Sequence, residues 1–154
     1  MLTAVCYVVT LVCQLIPPVQ GILSFDLKDA VAVIGAFIFG PIAGLALALL
    51  PSLLEFLTYS GTGPVGLLMN VLSTAAFVLP AAILYKRSKT RRTAVIGLLI
   101  SIVFMTVVML LWNYIVTPGY MEVPRDVVVS MLIPLFLPFN LAKGAANTIL
   151  ALIL

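Results

Sequence analysis

The chain has 154 residues, of which 64% are hydrophobic and only 8% are charged, and its mean hydropathy is +1.30. Soluble domains are about 45 to 50% apolar and about 25% charged, so this composition excludes a water-soluble globule. The formal net charge is +3, but five of the eight cations lie within residues 86–92, which marks one loop rather than a nucleic-acid-binding surface. The sequence has no histidine, and Cys6 and Cys13 are seven residues apart in an apolar stretch, which excludes a Cys/His zinc site or catalytic pair.

The length allows a single all-α domain over residues 1–154, an integral membrane bundle of six helices, because a spanning helix needs about 20 apolar residues. Boundaries are expected at proline, glycine and charged residues. The first predicted helix covers residues 2–16 and ends before Pro17. The start of the chain lacks the basic segment and small-residue cleavage site of a signal peptide, so this segment is predicted to be the first membrane helix.

The second and third predicted helices form a hairpin. A loop with a strand-like stretch is expected over residues 19–29, before helix two at residues 30–39. Gly40 and Pro41 then give a tight turn, because glycine favours the position after a helix and proline favours the first helical position. The next predicted segments are helix three, a loop and helix four, at residues 42–57, 58–64 and 65–85.

The last two predicted helices flank another long loop. Helix five covers residues 94–115, after the basic cluster. Residues 117–126 contain two prolines, one glycine and three charged residues, so they are predicted to form a loop. Helix six covers residues 127–154, and its pattern is interrupted at Pro134 and Pro138.

The basic cluster within residues 86–92 predicts the orientation. Short loops rich in lysine and arginine resist translocation, so this loop and both termini are expected in the cytoplasm, with the basic residues as a solvated headgroup anchor. The three longer predicted loops then lie together on the outer face. The acidic residues fall on that side as well: Asp26, Asp29, Glu55, Glu122 and Asp126.

One predicted helix face carries polar residues inside the membrane. Lys143 lies well within helix six, with Asn140 three residues earlier and Asn147 four residues later, so the three share one face. A charge in hydrocarbon costs about 2.5 to 3.5 kcal/mol on insertion scales and needs a partner, a water-filled cavity or a ligand. Asn113 in helix five could meet this face across a helix interface and add an amide.

Two interpretations of these polar residues remain open. In one, Lys143 neutralises Glu55 or snorkels, and the asparagines hold helices together with about 0.6 kcal/mol each. In the other, the polar face binds a ligand, since ionisable groups within a membrane are functional by default. We favour the ligand role for Asn113, Asn140 and Lys143. For Asn70 and Asn147 we favour the packing role.

The sequence contains no motif for catalysis. It has no GxxxxGK[ST] phosphate loop, no HExxH and no carboxylate pair within a predicted span, so neither an enzyme nor a resident metal or cofactor is expected. A process driven by ATP would need a separate motor. A small membrane enzyme or an autonomous secondary transporter would need an intramembrane carboxylate, for which Glu55 is the candidate.

Several segments together resemble a known family. They are SFDLKD at residues 24–29, FGPIAG at residues 39–44, TGPVGLLMN followed by AAFVLPAAILYKR, and PFNLAKG at residues 138–144. In this order, over nearly the whole chain, they are similar to the riboflavin-specific S-component of energy-coupling factor (ECF) transporters. PFNLAKG is the most specific of these elements.

The resemblance implies a six-helix protein of the bacterial plasma membrane that binds riboflavin from outside. It also implies partners, namely a shared transmembrane coupling subunit and two ATPases, with riboflavin as transported ligand rather than cofactor. The ligand-binding residues that it implies are Leu23, Ser24, Phe25, Asn113, Asn140 and Lys143. The alternatives are an S-component for another vitamin or an autonomous small secondary transporter.

The chain departs from the family pattern on helix one. S-components commonly carry an Ala-xxx-Ala pair there for docking to the coupling subunit, whereas Val8 stands four positions after Ala4 in this sequence. Small residues recur instead at four-residue spacing on helices two and three. Docking through these helices predicts that a bulky replacement of Ala32 or Gly44 weakens assembly.

Overall fold

The computed structural model describes residues 1–17, 26–58 and 63–154, and every regular element within these ranges is helical. In the described ranges the helices form six helical segments in chain order. The first five are α1 (Leu2–Cys13), α2 (Lys28–Phe39), α3 (Pro41–Thr58), α4 (Gly63–Arg87) and α5 (Arg91–Met121). The sixth span is Arg125–Ile153 and consists of α6 (Arg125–Met131), a π-helical segment (Leu132–Phe136) and α7 (Leu137–Ile153). The predicted six-helix bundle is thus confirmed.

The outer surface of the bundle is apolar. Four spans, α3, α4, α5 and the sixth, are long and apolar enough to cross a membrane. Large side chains on them face outward, as with Ile42 at 84% and Ile133 at 74% exposure. Exposure of such a surface to water would be unfavourable. Exposure to lipid tails is not, because the tails are as apolar as the side chains.

The α2–α3 hairpin forms as the sequence predicts. Gly40 ends α2 with φ of 102°, a backbone conformation that side chains rarely tolerate, and its N–H donates to the Ala36 carbonyl at 2.8 Å. Pro41 then begins α3. Close to this turn, the rings of Phe37 and Tyr85 lie 4.5 Å apart, which places the end of α2 beside the end of α4.

α2 is short, and it begins near mid-height of the bundle. In its first turn, Asp29 accepts a hydrogen bond from Thr74 of α4 at 2.7 Å. Thr74 lies eleven residues after the start of α4 and thirteen before its end, so the two ends are about 17 and 20 Å away at 1.5 Å per residue. The N-terminus of α2 therefore lies inside the bundle rather than at a membrane surface.

Small residues allow the central helices to pack closely. A Cβ built on Gly44 would lie 2.6 Å from Cγ1 of Val78 and 2.8 Å from Cβ of Ala36. Ala32 is also fully buried. These residues form the packing within the chain rather than a free face, because α3 meets α2 and α4 there. The expected effect of a bulky residue at Ala32 or Gly44 is therefore disruption of the bundle itself, which corrects their assignment to a docking surface.

The sixth span contains the interruption that its prolines predict. Pro138 has no N–H to donate to the carbonyl of Pro134 four residues earlier, so the α-helical hydrogen-bond ladder cannot run through this stretch. A π-helical segment accommodates the defect, and regular α-helix resumes at Leu137. Asn140 and Lys143 consequently lie in the first two turns of α7.

Other helix boundaries differ from the predicted ones. α2 begins at Lys28, so Lys28 and Asp29 belong to a helix and not to the predicted loop at 19–29, of which residues 19–25 lie outside the described ranges. α5 continues through Pro118 to Met121, well beyond the predicted end at 115. Pro118 has no N–H to donate to the carbonyl of Tyr114, yet the helix continues for three more residues. Glu122, with φ of 54°, then ends the helix.

Candidate functional site

The predicted polar face of helix six exists and points into the bundle. Asn140, Lys143 and Asn147 are all buried on one side of α7. Buried polar side chains in a membrane protein need partners from neighbouring helices, since lipid offers none. The partners of these three residues come mainly from the first turn of α2, from α4 and from the backbone of the sixth span.

Lys143 pairs with Asp29. The Lys143 Nζ lies 3.6 Å from Oδ2 of Asp29 and donates to Oγ of Ser73 at 3.4 Å. The other oxygen of Asp29 accepts from Thr74, whereas its Oδ2 has no hydrogen-bond partner among the described residues. The alternative expectation that Lys143 neutralises Glu55 is wrong, because another lysine lies next to Glu55.

That lysine is Lys28, which is fully buried. Its Nζ lies 3.1 Å from Oδ2 of Asp26 and 3.1 Å from Oε2 of Glu55, and it donates to Oγ of Ser52 at 3.4 Å. These contacts join the start of α2 to α3. Two adjacent residues of α2, Lys28 and Asp29, thus form ion pairs in different directions, one with α3 and the other with α7.

We call the residues Asp26, Lys28, Asp29, Glu55 and Lys143 the charged cluster. The sequence interpretation missed Lys28 and placed both aspartates in an outer loop, because SFDLKD has the composition of a surface segment. One signal was present: Lys28 and Asp29 directly precede an apolar stretch, in a chain with few charges. A charge that close to a buried helix requires a partner.

Asn147 joins α7 to the start of α2. Its Oδ1 accepts from the N–H of Ala30 at 2.9 Å, and its Nδ2 donates to the carbonyls of Asp26 at 3.0 Å and Lys143 at 2.9 Å. The first residues of any helix have N–H groups without helical partners, and Asn147 satisfies one of them inside the bundle. The geometry fits the packing role that the sequence favoured for this residue.

Asn140 and Asn113 each bond within their own span. Asn140 donates to the carbonyl of Phe136 at 2.8 Å. Asn113 donates to the carbonyl of Met109 at 2.7 Å and accepts from Thr117 at 2.9 Å. An asparagine amide has two N–H donors, and the bonds to Phe136 and Met109 each occupy one donor of the respective amide, whereas the bond from Thr117 occupies the amide oxygen of Asn113. Both side chains are buried, in α7 and α5 respectively.

Asn113 also lines a small cavity of about 20 Å³ between α4 and α5. The other walls are mainly apolar and include a tryptophan; they comprise Val65, Gly66, Met69, Trp112, Val116, Thr117 and Tyr120. A cavity of this size holds about one water molecule. Its lining combines an amide with apolar and aromatic surface, but its volume is far below the roughly 300 to 1,000 Å³ of a ligand pocket.

The remaining predicted site residues are Leu23, Ser24 and Phe25, which lie outside the described residues. Asp26, the next residue, is described and belongs to the charged cluster. Within the described ranges, no three histidine, cysteine or acidic side chains group as metal ligands do.

The fold and the buried cluster define an integral membrane protein whose helices enclose polar side chains near mid-height. The family model for the substrate-specific component of ECF transporters matches residues 1–154, and the chain belongs to this family. It is therefore a transporter component.

Named relatives and a solved structure resemble the chain over most of its length. It is 32% identical to the riboflavin transporter RibU of Staphylococcus aureus (strain TCH60), covering 100% of this chain and 84% of the relative. It is 27% identical to the riboflavin transporter FmnP of Bacillus subtilis (strain 168), covering 97% and 83%. A structure of the S component of a bacterial ECF transporter matches with a TM-score of 0.81 and 30% identity, over 99% of this chain and 88% of the other.

Proposed function

We propose that this chain captures riboflavin at the cell membrane as the substrate-binding S-component of an ECF transporter. The observation that carries the proposal is the buried polar face of α7, in a chain that resembles two riboflavin transporters along nearly its whole length. The chain acts as one domain over residues 1–154 and has no catalysis of its own. Its partners are the transmembrane coupling subunit and two ATPases, which supply the energy.

Three described residues bind the ligand in this proposal: Asn113, Asn140 and Lys143. Riboflavin has a flat isoalloxazine ring with a carbonyl and nitrogen edge, and a ribityl tail with hydroxyls. Amide and ammonium donors match that edge and that tail. The contacts of Lys143 support a ligand role, because its 3.4 and 3.6 Å distances exceed the 2.7 to 2.9 Å typical of tight charge-assisted hydrogen bonds.

The segment before α2 completes the proposed site. Leu23 and Phe25 supply apolar surface for the ring faces, and Ser24 supplies a hydroxyl. Asp26, which follows Phe25 in the sequence, pairs with Lys28 in the same charged cluster that contains Lys143, which supports a role of the preceding residues in the ligand site. Release of riboflavin then requires these contacts to break during transport.

The proposed orientation places the basic cluster and both termini in the cytoplasm. α4 ends with Lys86 and Arg87, the loop after it carries Lys89, and α5 begins with Arg91 and Arg92. Five cations on one side favour the cytoplasmic face of the cell membrane. The ends of the spans at Thr58, Gly63 and Met121 then face outward, toward the source of the vitamin.

The test is quenching of riboflavin fluorescence on titration with detergent-purified protein. We expect tight quenching by the parent chain and at least about tenfold weaker binding by Lys143→Ala and Asn140→Ala, since lost polar contacts at a buried site are poorly replaced. Matched controls are Lys89→Ala, an exposed lysine, and Asn70→Ala, an asparagine of α4 outside the proposed site. Both controls should bind like the parent.

Two outcomes would contradict parts of this proposal. Absence of quenching by a folded parent would exclude riboflavin and turn the search to another vitamin within the same family. Quenching that survives both α7 substitutions would keep riboflavin but remove the site from α7. A monodisperse elution profile for each variant separates a binding defect from misfolding.

A further inference from the structure

A cleft opens at the end of the bundle that carries the basic cluster. It has a volume of about 220 Å³ and lies between the α2–α3 turn and the end of α4. Phe37, Phe39 and Ile42 form apolar walls, and Tyr85, Lys86 and Lys89 contribute polar groups. The cleft is thus amphipathic, with hydrocarbon on one side and cations on the other.

The apolar side of the cleft is continuous with the surface that faces lipid. Ile38 and Phe39 at the end of α2 are largely exposed, as is Ile42 at the start of α3. Between these apolar residues and the lysines, the ring of Phe37 packs against the ring of Tyr85, with 4.5 Å between their centroids. An acyl chain could therefore run along the hairpin without leaving the bilayer.

The cations at this end have no acidic residue within reach. Residues 56–121 of the sequence contain neither aspartate nor glutamate, and the same holds for residues 30–54. Asp26, Asp29 and Glu55 are bound to buried lysines in the charged cluster. The other two acids, Glu122 and Asp126, follow α5, whose 31 residues span about 46 Å.

We propose that this cleft binds an anionic phospholipid, with its phosphate between Lys86 and Lys89 and an acyl chain along Ile38, Phe39 and Ile42. The ammonium groups provide charge for the phosphate, and the phenol of Tyr85 provides a hydrogen bond. The exposed apolar wall favours a lipid over a soluble phosphate, because an acyl chain would cover this wall and a free phosphate would not. This site is independent of the riboflavin site and lies at the other end of α2.

The test compares lipids and two pairs of charge-removing substitutions. The detergent-purified chain is titrated with phosphatidylglycerol, phosphatidylcholine or inorganic phosphate, and bound lipid is counted by native mass spectrometry. Lys86→Gln/Lys89→Gln removes two cations that line the cleft. Arg91→Gln/Arg92→Gln removes two cations from the same basic cluster that do not line it, so the net charge of the two variants is identical.

We expect one molecule of phosphatidylglycerol to bind in preference to phosphatidylcholine, and no effect of inorganic phosphate. The cleft variant should lose about tenfold in affinity for phosphatidylglycerol and the matched variant less than about threefold, because Lys86 and Lys89 line the cleft and the two arginines do not. Equal losses in both variants would indicate diffuse attraction and overturn the site, as would equal binding of both lipids. Binding of inorganic phosphate alone would overturn the lipid as ligand.

Discussion

At the scale of residues, the two buried lysines differ in how many carboxylates they face. Lys28 lies 3.1 Å from both Asp26 and Glu55, whereas Lys143 has Asp29 at 3.6 Å as its one ion pair among the described residues. Loss of one carboxylate therefore leaves Lys28 paired. The same loss leaves Lys143 buried without a counter-charge.

This difference predicts unequal effects of two similar substitutions. Asp29→Asn should lower the free energy of unfolding by about 3 to 5 kcal/mol, the typical cost of removing one partner of a buried ion pair. Glu55→Gln should cost clearly less, because Asp26 still faces Lys28. Thermal unfolding in a single detergent measures both variants. Equal losses of stability would contradict the pairing.

A double variant separates charge burial from packing. Asp29→Asn combined with Lys143→Met removes both charges of the pair, so no buried charge remains without a partner. Replacing a whole buried pair is often neutral or stabilising. Stability should return toward that of the parent, while riboflavin binding should stay weak if Lys143 contacts the ligand.

At the scale of helices, Gly44 decides how closely α3 approaches its neighbours. Gly44→Ala would bring a Cβ to 2.6 Å from Val78 and 2.8 Å from Ala36, so the helices must shift. Overpacking of this kind typically costs about 1 to 3 kcal/mol. Thermal unfolding should show the loss, and adding Val78→Ala should restore part of it.

Gly119 provides the matched control for this substitution. A Cβ there meets nothing within 4 Å, and the residue lies in the last part of α5. Gly119→Ala should be neutral or slightly stabilising, because alanine favours the helix by about 1 kcal/mol. A loss at position 119 as large as that at position 44 would refute the steric explanation.

At the scale of the whole molecule, the distribution of charge predicts orientation. Lys89 precedes α5 and Asp126 follows it in α6, so the two residues lie near opposite ends of α5, and both are exposed. A single cysteine in place of Asp126 should react with an impermeant maleimide in intact cells, whereas one in place of Lys89 should react only after permeabilisation. The native Cys6 and Cys13 are buried and should give little background. The reverse labelling pattern would overturn the proposed topology.

Composition and turn residues were sufficient to predict the spans, the α2–α3 hairpin and the polar face of α7. These features depend on local sequence signals. Glycine favours the position after a helix, and polar residues spaced three or four apart share one helix face. The pairing of Lys143 with Asp29 could not be predicted in this way, because the two residues are 114 positions apart. The burial of Lys28 could not be predicted either, because it depends on α2 beginning inside the bundle rather than at its surface.

The short length of α2 limits which interior residues can change. A helix that begins inside hydrocarbon must have its first N–H groups satisfied by the protein. The side chain of Asn147 accepts a hydrogen bond from the Ala30 N–H, and that of Asp26 accepts one from the Lys28 N–H, both at 2.9 Å. An apolar residue in place of Asp26 would remove the acceptor of the Lys28 N–H, and one in place of Asn147 would leave the Ala30 N–H with only its longer, 3.3 Å bond to the Leu27 carbonyl. In the proposed site, a change of ligand can therefore proceed more readily at Asn140, whose side chain bonds only within its own span among the described residues, than at Asn147 or Asp26.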